Sequence, residues 1–117
     1  ILTIKSLAGP GIDFETISRK PATAAPFEGA AVDAIRRAVD AEDPGAVVLP
    51  YLNSAGTDAK GFAVLPDGRR INYYGCTPLR LPADFDFINL FHGVDERVPV
   101  RSLVFGAKVV DHILQEA

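Results

Sequence analysis

Chemistry in this chain could sit in two short loops. One is His92-Gly93-Val94-Asp95-Glu96-Arg97. A neutral imidazole is the commonest nitrogen ligand for zinc, and its second ring nitrogen needs an acceptor to fix the tautomer. Asp95 or Glu96 could be that acceptor. The residues alone equally allow a surface histidine beside a solvated Glu96–Arg97 pair at a helix start, where the helix dipole favours Glu96. The other loop is Gly56-Thr57-Asp58-Ala59-Lys60. It offers backbone N–H groups at a helix start, a hydroxyl, a carboxylate and an ammonium, a set that could grip a substrate carboxylate. A plain helix cap with exposed charges fits the same residues.

Other reactive types are sparse. Cys76 is the only cysteine, so no disulfide can form within the chain and no thiolate zinc site is possible. At the end of an apolar run it reads as an inert buried thiol, and a Cys76–His92 nucleophile pair ranks last among the readings. His112 lies near the C-terminus of a helix, where a cation is favoured, and reads as structural. Asp84 and Asp86 flank Phe85 and read as solvated loop acids.

These loops need elements to hold them. Ile1 to Leu7 reads as a strand from its β-branched content, ended by Gly9-Pro10-Gly11. Residues 12–26 read as an extended loop, with Pro21 and Pro26 limiting regular structure. A helix follows from Pro26. Ala31, Ile35, Ala38 and Val39 mark its apolar side, and Asp43-Pro44-Gly45 ends it. Ala46 to Leu52 predicts a short buried strand. The polar turn 53–58 follows, with Thr57 or Asp58 capping a short helix through Val64. Pro66-Asp67-Gly68 predicts a turn and Ile71 to Cys76 another strand. Residues 77–99 read as a long loop. Val100, Leu103, Val104, Ala107, Val110, Ile113 and Leu114 then form the apolar stripe of a closing helix. This order predicts an α/β fold, a layered sheet with helices packed on it. Both loops would lie beyond the carboxyl ends of strands, where α/β sheets bind ligands.

Composition bounds the function classes. The chain has 117 residues, 48% of them hydrophobic, and a formal net charge of −3, which is the composition of a globular domain or part of one. The adjacent basic pairs Arg19-Lys20, Arg36-Arg37 and Arg69-Arg70 are separated and flanked by acidic or apolar residues. No phosphate-tracking stripe forms, so nucleic acid is set aside as a partner. No apolar run approaches the roughly 20 residues that cross a bilayer, so no membrane partner is expected either. The N-terminus has no signal-peptide pattern and no initiator Met, which suggests a start inside a longer product. The single cysteine fits a reducing, cytoplasmic compartment.

In their order, Gly56-Thr57-Asp58-Ala59-Lys60, Tyr74-Gly75-Cys76-Thr77-Pro78, His92-Gly93-Val94-Asp95-Glu96-Arg97-Val98 and the closing amphipathic helix resemble the end of metallopeptidase family twenty. That family comprises aminoacylases, carboxypeptidases and succinyl-diaminopimelate desuccinylase. The similarity runs from about residue 26 onward. It implies a hydrolase in which two zinc ions hold a bridging water, a glutamate acts as general base, and an amide of an N-acyl amino acid or small peptide is cleaved. By the resemblance, His92 is the last metal ligand, closing the coordination of one zinc, and Asp95 or Glu96 stays the candidate acceptor for its second nitrogen. Gly56, Thr57, Asp58 and Lys60 face the substrate. The family often has Arg where this chain has Lys60, and an ammonium is a point charge, not a bidentate fork.

The resemblance also implies what lies elsewhere. The family's other ligands come from a His-x-Asp motif, a bridging Asp, a Glu-Glu pair and a further acid. This chain has no His-x-Asp, no Glu-Glu and only two histidines. No catalytic residue is therefore assigned within it. Residues 1–25 become a strand and linker re-entering from an absent lid domain, and residues 26–117 become the C-terminal part of the catalytic domain. An upstream segment or partner chain would complete it, with self-association a further expectation because core surface would be exposed. The alternative is a non-catalytic α/β binding or interaction module.

Overall fold

The computed structural model describes residues 2–18, 22–53 and 56–116. Ile1, the Arg19-Lys20 pair, Pro21 and Ser54 lie outside the described residues. Four α-helices run in chain order: α1 (Leu2–Ala8), α2 (Ala30–Glu42), α3 (Phe87–Leu90) and α4 (Val100–Gln115). A 3-10 turn spans Asp58–Gly61.

The expected layered α/β sheet is not there. Among the described residues no strand pairs with another, and the only β pairing is an isolated antiparallel bridge between Val64 and Arg70. The stretch expected to open the chain as a strand is instead the helix α1. Leu, Lys and Ala are strong helix formers, and the imperfect alternation of Ile1 to Leu7 carries no firm period of two. Ala46 to Leu52 forms no regular element and is not buried: Val47 is 78% exposed and Tyr51 84% exposed. Ile71 to Cys76 likewise forms no regular element, and its one ladder-like bond is Ile71 N–H to the Ala63 carbonyl at 3.1 Å. Side chains hold it instead. The Tyr74 hydroxyl donates to the Pro26 carbonyl at 2.8 Å, and the Tyr73 and Thr23 hydroxyls meet in a hydrogen bond. Strand propensity describes fit to a half-covered pleated surface, and here no such surface is present to pair with.

The core is the packing of α2 on α4, the one pair of helices in contact among the described residues. Pro26 does not begin α2. Its first turn starts after Gly29, whose carbonyl accepts from Asp33 N–H at 3.0 Å, and Asp33 sits where the dipole favours an acid. The helix stops where expected. Asp43 leaves helical geometry ahead of Pro44, and the Asp40 carboxylate accepts from Gly45 N–H at 3.2 Å. Val32, Ala34 and Ala38 are buried, so the inward face is turned from the expected Ala31–Ile35–Ala38–Val39 line.

α4 carries the larger surprise. Its buried residues are Ser102, Gly106 and Val109, spaced for one helix face. The apolar stripe points elsewhere: Val100, Leu103, Ala107, Val110 and Leu114 are all exposed. Small residues let the segment 78–80 lie directly on the helix. The Ser102 hydroxyl donates to the Arg80 carbonyl at 2.6 Å, and the Pro78 carbonyl oxygen sits against Gly106. Ion pairs close the rim. Glu42 takes Lys108 Nζ and His112 Nε2, each at 3.2 Å, and Arg37 pairs with Glu116.

This small core leaves much surface uncovered. The accessible area is 9728 Å², against about 6,200 Å² for a compact monomer of this mass. The radius of gyration is 18.8 Å, against about 13 Å for a compact chain of this length.

Candidate functional site

The 91–97 loop is built on α3, which the expected loop 77–99 did not include. Asp86, expected to be solvated, caps α3: its carboxylate accepts from Asn89 N–H at 3.4 Å and from Asn89 Nδ2 at 2.8 Å. Phe91 N–H donates to the Phe87 carbonyl at 2.9 Å and Gly93 N–H to the Leu90 carbonyl at 2.9 Å, so the chain turns back sharply after the helix. A Cβ at position 93 would stand 2.6 Å from the Asn89 carbonyl oxygen, so only glycine fits behind His92.

His92 occupies the left-handed region, at φ 57°, and Asp95 does so at φ 61°. Both conformations cost energy for a residue with a Cβ, and such outliers gather where function fixes the backbone. The His92 ring lies against Phe91 with centroids 4.3 Å apart and remains exposed. Its expected supporting acids are not in place. Neither Asp95 nor Glu96 bonds the imidazole, and Arg97 Nη1 donates to the Asp95 backbone carbonyl at 3.0 Å. The helix once expected to start near Glu96 begins at Val100, after Pro99.

In the other loop, Thr57 is the cap: its hydroxyl accepts from Ala59 N–H at 3.3 Å. Lys60 N–H donates to the Thr57 carbonyl at 3.2 Å, and the turn closes at Phe62, short of the helix through Val64 that was expected. Gly56, Thr57 and Asp58 are exposed and Lys60 is half-exposed. Among the described residues no hydrogen bond or ion pair joins this loop to the His92 loop, and no three His, Cys, Asp or Glu side chains gather as a metal site.

The remaining candidates separate cleanly. Cys76 is exposed, not buried, at the edge of an apolar groove between the 76–79 segment and α4. Partial desolvation raises its thiol pKa, which leaves little thiolate at neutral pH. His112 is structural, bound to Glu42. Glu42 is held below the usual carboxylate range chiefly by its hydrogen bond from Lys108, with His112 adding to it. No helix among the described residues is long and apolar enough to cross a membrane.

Two functional features escaped the sequence. The Asp86 cap was legible as Asp three residues before Asn89. Arg101 and Lys108 share one face of α4, while Arg80 is brought beside them only by the fold and left no local signal. No family model, curated protein or solved structure matches this chain.

Proposed function

We propose that this chain is the C-terminal portion of a dizinc hydrolase that cleaves amide bonds of N-acyl amino acids or small peptides. His92 supplies one ligand of the metal centre. The observation that carries the reading is the geometry at His92: an exposed imidazole on a left-handed backbone, presented by a turn that only Gly93 permits. That is a costly way to display a surface histidine and a reasonable way to aim a ligand. The chemistry assigned to it comes from the resemblance of the ordered motifs.

Zinc in a hydrolytic centre takes several converging ligands and keeps one position for water. His92 fits as one of them. The remaining ligands and the general base belong to a segment outside this chain, and the chain alone is inactive. The uncovered surface supports that part of the reading. It exceeds that of a compact monomer by roughly half as much again, and it includes the exposed apolar side chains of Val47, Leu49 and Leu52. Gly56, Thr57, Asp58 and Lys60 would meet the substrate only after that surface is covered and the two loops are brought together. The same covering segment would orient Asp95 or Glu96 toward His92. The lone cysteine accords with a cytoplasmic setting.

A direct test is the coding sequence ahead of Ile1. The reading requires a His-x-Asp motif and a Glu-Glu pair there, or in a separate chain that co-purifies. A start codon at Ile1 and no such partner would overturn it.

A further inference from the structure

We propose that the open cavity of about 470 Å³ on α4 beside the 80–82 segment binds a small organic anion, a carboxylate or phosphate carried on an apolar body. Three cations line it: Arg80, Arg101 and Lys108. Glu42 is the only acid in the lining, and it is already taken up by Lys108 and His112. Asp43 engages Arg80 through one guanidinium nitrogen, Nη2, at 3.2 Å, which leaves most of its donor fork open. Arg101 has no ion pair among the described residues. It also lies in the first turn of α4, where no acid is present and the helix dipole disfavours a cation. Arg80 and Lys108 are each paired to one acid, and Arg101 adds a cation with no such partner at a helix end where the dipole disfavours it.

The cavity is built, not incidental. Ser102 is fully buried, and its hydroxyl bond to the Arg80 carbonyl fixes the 80–82 segment against α4. Leu81, Pro82, Val104 and Phe105 supply the apolar part of its lining. Arginine forks suit carboxylate and phosphate, and the volume is in the range of small-molecule sites. The site shares no residue with the His92 loop or the 56–60 loop, and of the apolar stripe of α4 only Val104 lines it, so it stands apart from the proposed hydrolase function.

The test is a titration of the 117-residue chain at low salt with phenyl phosphate, benzoate, benzyl alcohol and inorganic phosphate, followed by NMR shifts at residues 80, 101 and 108. Saturable binding of phenyl phosphate or benzoate is expected, and the tighter of the two identifies the acid. Arg101→Gln should weaken it at least tenfold and Arg101→Lys by less, with the helical circular dichroism of both variants unchanged. Ser102→Ala should weaken it as well. The proposal is overturned by the absence of saturable shifts, by equal binding of benzyl alcohol, or by inorganic phosphate matching phenyl phosphate. Undiminished binding in Arg101→Gln would overturn it too.

Discussion

The carbonyl oxygen of Pro78 occupies the space that a Cβ on residue 106 would need. This contact, with the Ser102–Arg80 hydrogen bond one turn away, lays the 78–80 segment across α4 beside its packing on α2. Gly106→Ala must push that segment off the helix. Overpacking of this kind costs about 1–3 kcal/mol. Urea unfolding should show the loss, and a variant as stable as the parent would mean that the segment does not rest on α4.

Acid should loosen the same core. Glu42 has its pKa lowered in the fold, so its contribution is fully present above the unfolded value of 4.5 and is lost as pH falls through the lower folded value. Glu116, lowered chiefly by its bond from Arg37, adds in the same direction. The thermal midpoint should therefore fall below about pH 4.5 and change little from there to neutrality. Glu42→Gln should lower the midpoint at pH 7 and flatten the acid-side fall. An unchanged slope would remove Glu42 from the account.

The His92 turn should be sensitive at Gly93 and tolerant at His92. Gly93→Ala places a methyl group against the Asn89 carbonyl, so the Gly93 N–H bond to Leu90 should open. Faster amide hydrogen exchange at residues 91–93 would report it. His92→Ala should leave exchange elsewhere unaltered, because the ring touches Phe91 and is otherwise exposed.

The exposed stripe of α4 should govern association, not folding. Leu103 is 51% exposed and Val110 42% exposed. Replacing either by Lys should move the chain's own stability by no more than about 0.5 kcal/mol. The parent should self-associate as concentration rises in sedimentation experiments, and Leu103→Lys should stay monomeric. Equal association of the two would place the contact elsewhere.

What the sequence made legible was local. The helical period from Val100 to Leu114, the stop at Asp43-Pro44-Gly45 and the Pro66-Asp67-Gly68 turn each depend on neighbours within a few residues. The turn forms with Gly68 N–H on the Leu65 carbonyl at 2.9 Å. Facing was not legible. The apolar stripe of α4 was expected inward, yet Ser102, Gly106 and Val109 are the buried residues, because a hydroxyl and a bare Cα let the carbonyls of Arg80 and Pro78 lie directly on the helix where Leu103 or Val110 would not. Sheet pairing was not legible either. Val47 and Leu49 carry strand propensity, but a ladder needs a second strand distant in sequence, and none lies alongside. For the site, Thr57 was legible as a cap, while the left-handed backbone of His92 and Asp95 was signalled only weakly, by residue types that enter that region more readily than others.

The most direct test of the central claim is zinc stoichiometry, measured by elemental analysis after dialysis. It compares the isolated chain with the protein that carries the His-x-Asp and Glu-Glu segment. The isolated chain should retain no stoichiometric zinc. The completed protein should hold two ions and hydrolyse N-acyl amino acids, and His92→Ala should lose one ion and most of that activity. Tight zinc binding by the isolated chain, or full zinc content in the completed His92→Ala protein, would contradict the account.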